Sequence, residues 1–545
     1  MQDGNPTIYA VFEQVARRQP GRTAVIYLGS RYTYGQLRTA AERFARALHA
    51  LGLRPGARVV IYLPNTVHWI VSWLGILRAG GICVPIIPIH MPQELGHVVN
   101  DSGADTIVCA DTNFGYVHRV MAERGLKRVI VARMTEILPA YKRLFGWLFN
   151  MVPRGSVAWG PRIHAFRALL KAHGNDPLPE IETSSQSVAE ILYTSGTTHS
   201  SRGVPITHAD FLASALEQIR ISDALVPSHE NIVMGHSPLY HILGQTCGLA
   251  TLLVGGTLLI QPHINIDATF DAIARFHVRT LVAVPSFYRM MLEHERMDQY
   301  RLDSVDYWFS AGDVLPQELN KRWKARFGKI IHQGYGCTET CGGVAMCPVG
   351  RPYPATCVGR VLDSKEVMIV DPVFLDPQPY DTPGELLVRS KNMVTAYVNT
   401  PEQTRQAFIQ RDGKTWYRTG DVMSLDASGY LYFIDRTTDT IDHDGHPVSA
   451  SEVEAVLQEH PAVVGTCVIG VPDSRFGERI KACVVLKPDT KGITGYELIK
   501  WCRKRMLPYM VPQYVEFRDM LPKSKLGKLL RREVREEERQ RAAAA

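Results

Sequence analysis

Apolar runs rich in β-branched residues alternate with helix-like segments along most of this chain, and that alternation restricts its fold more than any other feature. Examples are Arg58-Val59-Val60-Ile61-Tyr62-Leu63, Thr106-Ile107-Val108-Cys109-Ala110, Arg128-Val129-Ile130-Val131-Ala132 and Arg279-Thr280-Leu281-Val282-Ala283-Val284-Pro285. Such runs are the βαβ signature of mainly parallel sheets. With 545 residues the chain is too long for one hydrophobic core, so two or more domains are expected. Near Thr382 the pattern shifts to short strands with turns, at Gly384 and again at Gly429, which suggests a smaller β-rich part. From Ser449 a helix begins, with Ser451 as its expected cap ahead of Glu452. Strands at 466–471 and 482–486 and a helix near 496–506 complete a small α+β tail. The expected class is therefore α/β.

Composition removes several alternatives. Apolar residues make up 45% and charged residues 21%, as in a globular protein. The start, Met1-Gln2-Asp3-Gly4-Asn5-Pro6, lacks the basic region and apolar core of a signal peptide. The stretch 69–89 comes closest to a bilayer span, but Arg78, Gly80, Gly81, Pro85 and Pro88 break it. A net charge of +7 without a nucleic-acid motif gives no ground for nucleic-acid binding. It suits polyanionic ligands or an anionic membrane surface. The ten cysteines contain no C-x-x-C pair, which points to reduced thiols in the cytoplasm. Cys337, Cys341, Cys347 and Cys357 cluster without standard zinc spacing and read as free thiols.

The run Ile191-Leu192-Tyr193 breaks abruptly into Thr194-Ser195-Gly196-Thr197-Thr198-His199-Ser200-Ser201-Arg202-Gly203. A strand feeding such a loop suits a polyphosphate. Thr194, Ser195, Thr197 and Thr198 supply hydroxyls, Gly196 lets backbone N–H groups approach an anion, and Arg202 adds a cation. No Gly-Lys-Ser/Thr ends it, so it is not a Walker A loop. Further on, Gly334-Tyr335-Gly336-Cys337-Thr338-Glu339-Thr340 offers an aromatic face for adenine, a hydroxyl for phosphate and a carboxylate for Mg²⁺. Trp416-Tyr417-Arg418-Thr419-Gly420-Asp421 stands ahead of a strand-like 422–425. Phe433-Ile434-Asp435-Arg436-Thr437-Thr438-Asp439 and Leu521-Pro522-Lys523-Ser524-Lys525-Leu526-Gly527-Lys528 follow. Taken singly, each reads as a turn or, for the last, a basic surface tail.

In this order and spacing the five segments resemble the adenylate-forming superfamily: acyl-CoA synthetases, luciferases and the adenylation domains of peptide synthetases. The likeness spans nearly the whole length, since Tyr32-Thr33-Tyr34-Gly35-Gln36-Leu37 and 56–64 also match. The resemblance implies a large N-terminal domain over 1–434, mainly parallel sheets with a β-rich subdomain at about 360–434. It further implies a hinge at 435–438, with Asp435 and Thr438, and a small mobile α+β domain over 439–545. ATP would lie on Thr194, Ser195, Gly196, Thr197, Thr198, Arg202, Gly312, Gly334, Tyr335, Gly336, Thr338, Asp421, Arg436 and Lys528. Asp421 would accept both ribose hydroxyls, and Glu339 would hold Mg²⁺. Thr194, Glu339, His241 and Lys528 form the implied catalytic set, the Lys528 ammonium meeting charge as it develops on carboxylate and α-phosphate. His241, Gly312 and Gly445 would line the acyl and CoA channels.

Asp435-Arg436, in place of the commoner Gly-Arg, resembles the bacterial long-chain fatty acyl-CoA synthetases. So does 137–154, where aromatic and aliphatic residues interleave with Lys142, Arg143 and Arg154. That stretch could rest on a membrane or pack as a core or dimer helix. The expectation is a cytoplasmic ligase for a medium- or long-chain fatty acid with ATP, CoA and Mg²⁺. Peripheral contact at the inner membrane face and a homodimer are left open. Departures from the family pattern are His199 for glycine, Ser201 for proline, Arg202 for lysine, and Thr438 for Asp or Lys. Arg for Lys is not a neutral exchange. Three alternatives follow: a fatty acyl-AMP ligase loading a carrier protein, an aryl-CoA ligase, or a degenerate homologue that only binds nucleotide or lipid. Retention of Glu339, Asp421, Arg436 and Lys528 argues against the last.

Overall fold

The apolar stretch that begins at Trp69 is a core element. In the computed structural model the helix Val67–Arg78 buries every residue from Val67 to Leu77. Thr66 sets its start, the hydroxyl accepting the Trp69 N–H at 3.3 Å. Gly75 lets the helix Tyr34–Ala50 come close: a β-carbon there would lie 2.8 Å from Phe44 Cδ1 and 2.9 Å from the Ala41 carbonyl. Trp69, Trp73, Phe44, Phe166 and Phe211 fill the space around it. Truncating one such ring to alanine costs about 3–5 kcal/mol.

The structure describes residues 6–134, 136, 154–194, 201–437, 439–443, 446–473, 477–488, 490, 492–523 and 529–544. Among them no helix is long and apolar enough to cross a membrane. Their strands form three sheets. One has seven strands in the order Ile163–Ala165, Arg128–Ala132, Thr106–Ala110, Arg58–Tyr62, Ile82–Pro85, Val188–Thr194, Arg202–Thr207. All its pairings are parallel except the last. A 14-stranded sheet has a parallel half through Thr257–Ile260, Ile232–Gly235, Thr280–Ala283, Tyr307–Ala311 and Ile331–Cys337. From Ile331–Cys337 onward its pairings are antiparallel, through Gly342–Met346, Gly359–Val361, Tyr430–Arg436, Lys414–Leu425, Gly384–Ser390 and Lys365–Val370. The β-rich region thus shares one hydrogen-bond ladder with the parallel strands.

One core takes Val59 and Ile61 from the first sheet and Val25 and Leu258 from the second, so the buried helices lie between the two sheets. Separate cores cover the outer faces, with Leu95 and Val117 on one and Phe270, Tyr288 and Trp323 on the other. Five layers result, helix and sheet alternating. This is the expected α/β class.

The 14-stranded sheet ends at Arg436 and the small sheet begins at Ile441. Its strands Ile441–His443, His446–Val448, Val463–Asp473, Gly477–Leu486 and Tyr514–Phe517 enclose a core of their own with Val453, Leu457 and Leu498. The helix expected to be capped by Ser451 starts earlier, over Ala450–Gln458. Its cap is Ser449, whose hydroxyl accepts the Glu452 N–H at 3.2 Å. Ser451 has other work in the first turn: its N–H and hydroxyl both donate to the Asp435 carboxylate.

Glu190 is a buried carboxyl in the strand that leads to Thr194. Burial pushes it up to about 8, against the lowering effect of the Trp73 indole and the Gln245 amide that face it. Raised above its unfolded value of 4.5, the group favours the folded state fully below that pH and loses the contribution as pH rises through about 8. Glu190→Gln should therefore match the parent Tm near pH 5 and exceed it by a few degrees near pH 9. Thermal melts across that range check it; equal Tm differences at both ends would contradict it.

Candidate active site

The strands Val188–Thr194 and Arg202–Thr207 pair antiparallel with Thr194 opposite Arg202. They hold together the two ends of the hydroxyl-rich segment. Ser195, Gly196, Thr197, Thr198 and His199 themselves lie outside the described residues. The Arg202 guanidinium rests over the Tyr397 ring at 4.9 Å from its centre and donates through Nη1 to the Tyr397 hydroxyl at 3.2 Å. The same hydroxyl donates to Glu339 Oε1 at 2.9 Å. A chain Arg202–Tyr397–Glu339 thus ties the hairpin to the segment after Tyr335. Tyr397 was not singled out in the sequence. It stands in Thr395-Ala396-Tyr397-Val398-Asn399, with no periodic or motif signal to mark it.

Glu339 is buried, with 6% of its surface exposed, and Thr338 precedes it in the reversal after the strand Ile331–Cys337. Among the described residues no three His, Cys, Asp or Glu side chains converge as a metal cage. One buried carboxylate fits Mg²⁺, which binds one or two carboxylates together with phosphate oxygens and keeps several waters.

The Tyr335 motif begins inside its strand, through Cys337, and only residues 338–340 lie in the turn after it. The two glycines answer packing there. A β-carbon on Gly336 would lie 2.1 Å from the Gly342 carbonyl, and one on Gly334 would lie 2.7 Å from Phe309 Cζ. Gly312, at φ 89°, follows Ala311, which pairs with Gly334. The Tyr335 hydroxyl donates to Asp421 Oδ2 at 2.5 Å. Burial and that carboxylate hold the phenol well above its ordinary pKa. Asp421 also stands 3.3 Å from Arg436 Nε, its register partner in the neighbouring strand. The sequence suggested that Asp421 precedes a strand; it lies within one, Lys414–Leu425. Gly420 takes φ 70° and its carbonyl accepts the Thr437 N–H at 2.9 Å.

His241 opens the helix Ile242–Thr246, and its Nδ1 accepts the Leu243 N–H at 3.2 Å, which leaves the ring proton on Nε2. His236, shortly before it in the chain, is different: it packs on Phe287 at 4.2 Å and burial pushes it down to about 3, so it stays neutral. Asp435 is buried and joined to Ser451, so the end of the strand Tyr430–Arg436 touches the start of the helix Ala450–Gln458. Thr438, Gly445 and Lys528 lie outside the described residues. The segment holding Lys528 has a described base, where Lys523 pairs with Leu529 and the Leu530 N–H donates to the Pro522 carbonyl at 2.9 Å. Arg531 anchors it, donating to Glu454 at 2.8 Å and to Asp439.

Residues 12–398 match the AMP-binding enzyme family, and 452–528 match the AMP-binding enzyme C-terminal domain. The chain belongs to this family, the adenylate-forming ligases. A long-chain-fatty-acid–CoA ligase of Escherichia coli O157:H7 is 33% identical over 98% of this chain and 95% of its own length. A feruloyl-CoA synthase of Amycolatopsis sp is 32% identical over 95% of this chain and 96% of its own length. Among solved structures, an anthranilate CoA ligase in complex with anthranoyl-AMP superposes with a TM-score of 0.87 at 24% identity, covering 99% of this chain and 98% of the other. That last likeness speaks to the fold.

Asp421 is the acceptor on which both Tyr335 and Arg436 converge. Asp421→Asn should weaken ATP binding about 10- to 150-fold, the worth of ~1.5–3 kcal/mol for hydrogen bonds to a charged group. Calorimetric titration with ATP would read this directly. Tyr397→Phe should raise KM for ATP about 5- to 10-fold by cutting Arg202 from Glu339; steady-state kinetics at fixed Mg²⁺ would measure it.

Proposed function

We propose that this protein is an AMP-forming acid–thiol ligase that activates a medium- or long-chain fatty acid with ATP and passes the acyl group to coenzyme A. The observation that carries the reading is the convergence of Tyr335, Asp421 and Arg436 beside Glu339, linked through Tyr397 to the Thr194–Arg202 hairpin. It sits where ligands bind in open α/β sheets, beyond the carboxyl ends of parallel strands.

In the first half-reaction a fatty carboxylate oxygen attacks the α-phosphorus of ATP in line, and the bond to pyrophosphate breaks. The work is positioning and charge neutralisation. The hydroxyls of Thr194, Ser195, Thr197 and Thr198, the backbone at Gly196 and the Arg202 guanidinium would hold the outer phosphates. The Tyr335 ring stacks adenine with Gly312, Gly334 and Gly336 around it, Thr338 meets phosphate, and Asp421 takes the ribose hydroxyls. Arg436 and Lys528 face the α-phosphate. Glu339 would hold Mg²⁺, which would supply further positive charge. In the second half-reaction the small domain turns about 435–438, withdrawing Lys528 and opening a channel along His241, Gly312 and Gly445. The CoA thiol then attacks the acyl carbon and AMP leaves.

The fatty-acid reading draws on the Escherichia coli relative and on Asp435-Arg436. An aryl acid is the second reading, favoured by the feruloyl-CoA synthase of nearly equal identity. We place the enzyme in the cytoplasm, with peripheral membrane contact through 137–154, of which 137–153 lie outside the described residues. Mass spectrometry after incubation with ATP, Mg²⁺ and a panel of fatty and aryl acids, with and without CoA, separates the possibilities. Fatty acyl-CoA formed only with CoA is expected; acyl-AMP persisting with CoA would instead point to a carrier-protein acceptor. Lys528→Ala should suppress adenylation at least 100-fold yet spare thioester formation from supplied acyl-AMP. Equal loss of both half-reactions would contradict its assignment.

A further inference from the structure

Between the strands Ile331–Cys337 and Gly342–Met346 the chain reverses through Thr338, Glu339, Thr340 and Cys341. This reversal is buried and strained. Cys341 sits at φ 60°, a region that residues with a β-carbon rarely enter. Thr340 is fully buried; its hydroxyl accepts the Cys337 N–H at 3.2 Å and donates to the Gly342 carbonyl at 2.8 Å. Its carbonyl is also taken, by a lysine distant in sequence: Lys365 Nζ donates to Thr340 O at 2.8 Å. Lys365 opens the strand Lys365–Val370 and is 6% exposed. Burial lowers its pKa, and the titratable groups that face it are Asp210, Glu217, Cys337 and Cys341.

A withdrawn ammonium is costly unless it is hydrogen-bonded, and here its bond goes to the peptide next to Glu339. We propose that Lys365 is a positioning residue for Glu339, its ammonium locking the Thr340–Cys341 peptide in the orientation that aims the Glu339 carboxylate at a metal-bound nucleotide. The physical reason is local. Flipping that peptide would return Cys341 to negative φ and relieve its strain, and it would also turn the Thr340 carbonyl away from Lys365. The ammonium opposes the flip. Tyr397 steadies the carboxylate from the other side, so side chain and backbone are fixed independently. The inference rests on the nucleotide reading given above.

The test uses the full chain, with Mg·ATP and AMP titrated calorimetrically in the absence of acid. Lys365→Met should weaken Mg·ATP binding at least tenfold, leave AMP binding within twofold, and lower Tm by only a few degrees. Lys365→Arg, which keeps a charged donor, should restore Mg·ATP affinity to within threefold of the parent. In a Glu339→Gln background Lys365→Met should have no further effect, because both act through one carboxylate. Lys365→Gln is read in the same way and carries the test where the methionine variant is insoluble. Parent-like Mg·ATP binding, equal weakening of Mg·ATP and AMP, or additive effects in the double variant would overturn the inference while leaving the nucleotide reading intact. A parent protein that binds neither nucleotide would overturn both.

Discussion

Tyr335 and Asp421 meet only because the large sheet curls. Their strands are four steps apart in its ladder, separated by Gly342–Met346, Gly359–Val361 and Tyr430–Arg436. In a flat sheet those steps would span about 19 Å, farther than the two side chains reach together. The hydroxyl and carboxylate nevertheless stand 2.5 Å apart. Right-handed twist accumulates across antiparallel strands, and register shifts at Tyr335/Gly336, Glu385/Leu387 and Val422/Met423 add local bends. Curling folds the antiparallel half back over the carboxyl ends of the parallel half. Glycine at 336 is part of the same geometry, since the neighbouring strand passes too close for a side chain. The cleft is thus a property of sheet shape before it is one of individual residues.

The parallel strands were legible because burial on both faces writes itself as unbroken apolar runs, and the runs at 58, 106, 128 and 279 all became strands. The motifs were legible because small hydroxyl residues and glycines interrupt those runs at strand ends. Other features left no such mark. The cap at Ser449 and its neighbour Ser451 are equivalent in sequence; Asp435, held in the strand Tyr430–Arg436 of the large sheet, takes Ser451 as its partner. Asp421 read as a turn residue because Thr-Gly-Asp is turn-like, yet pairing with Tyr430–Arg436 holds it in extended backbone. Tyr397 meets Glu339 and Lys365 meets Thr340 over separations of 58 and 25 residues, and neither propensity nor periodicity encodes such a meeting.

Two of the departures from the family pattern fall at positions with different surroundings. Ser201, in place of proline, offers its carbonyl within 3.1 Å of His97 Nε2, so the entry to the second hairpin strand is tied to the helix Pro92–Ser102. Arg202, in place of lysine, uses properties a lysine lacks. Its Cζ lies over the Tyr397 ring, 4.9 Å from the centre, while Nη1 donates to the hydroxyl at 3.2 Å, and a single ammonium cannot do both in a fixed orientation. The exchange therefore comes with its own partner.

That partner also ties the two halves of the cleft to each other. Tyr397 precedes the helix Pro401–Ala407, its N–H bonded to the Thr404 hydroxyl at 3.1 Å, and the N–H of the next residue, Val398, donates to the Gly203 carbonyl of the hairpin at 2.8 Å. Its hydroxyl lies between a cation from the seven-stranded sheet and a carboxylate from the strand reversal of the 14-stranded one. Any shift of one sheet against the other must stretch one of those bonds. A phosphate chain bound at the hairpin would draw Arg202 toward itself and load the same linkage. The Tyr397 phenol thus gives Arg202 and Glu339 a shared partner, beside the backbone bond from the Val398 N–H to the Gly203 carbonyl.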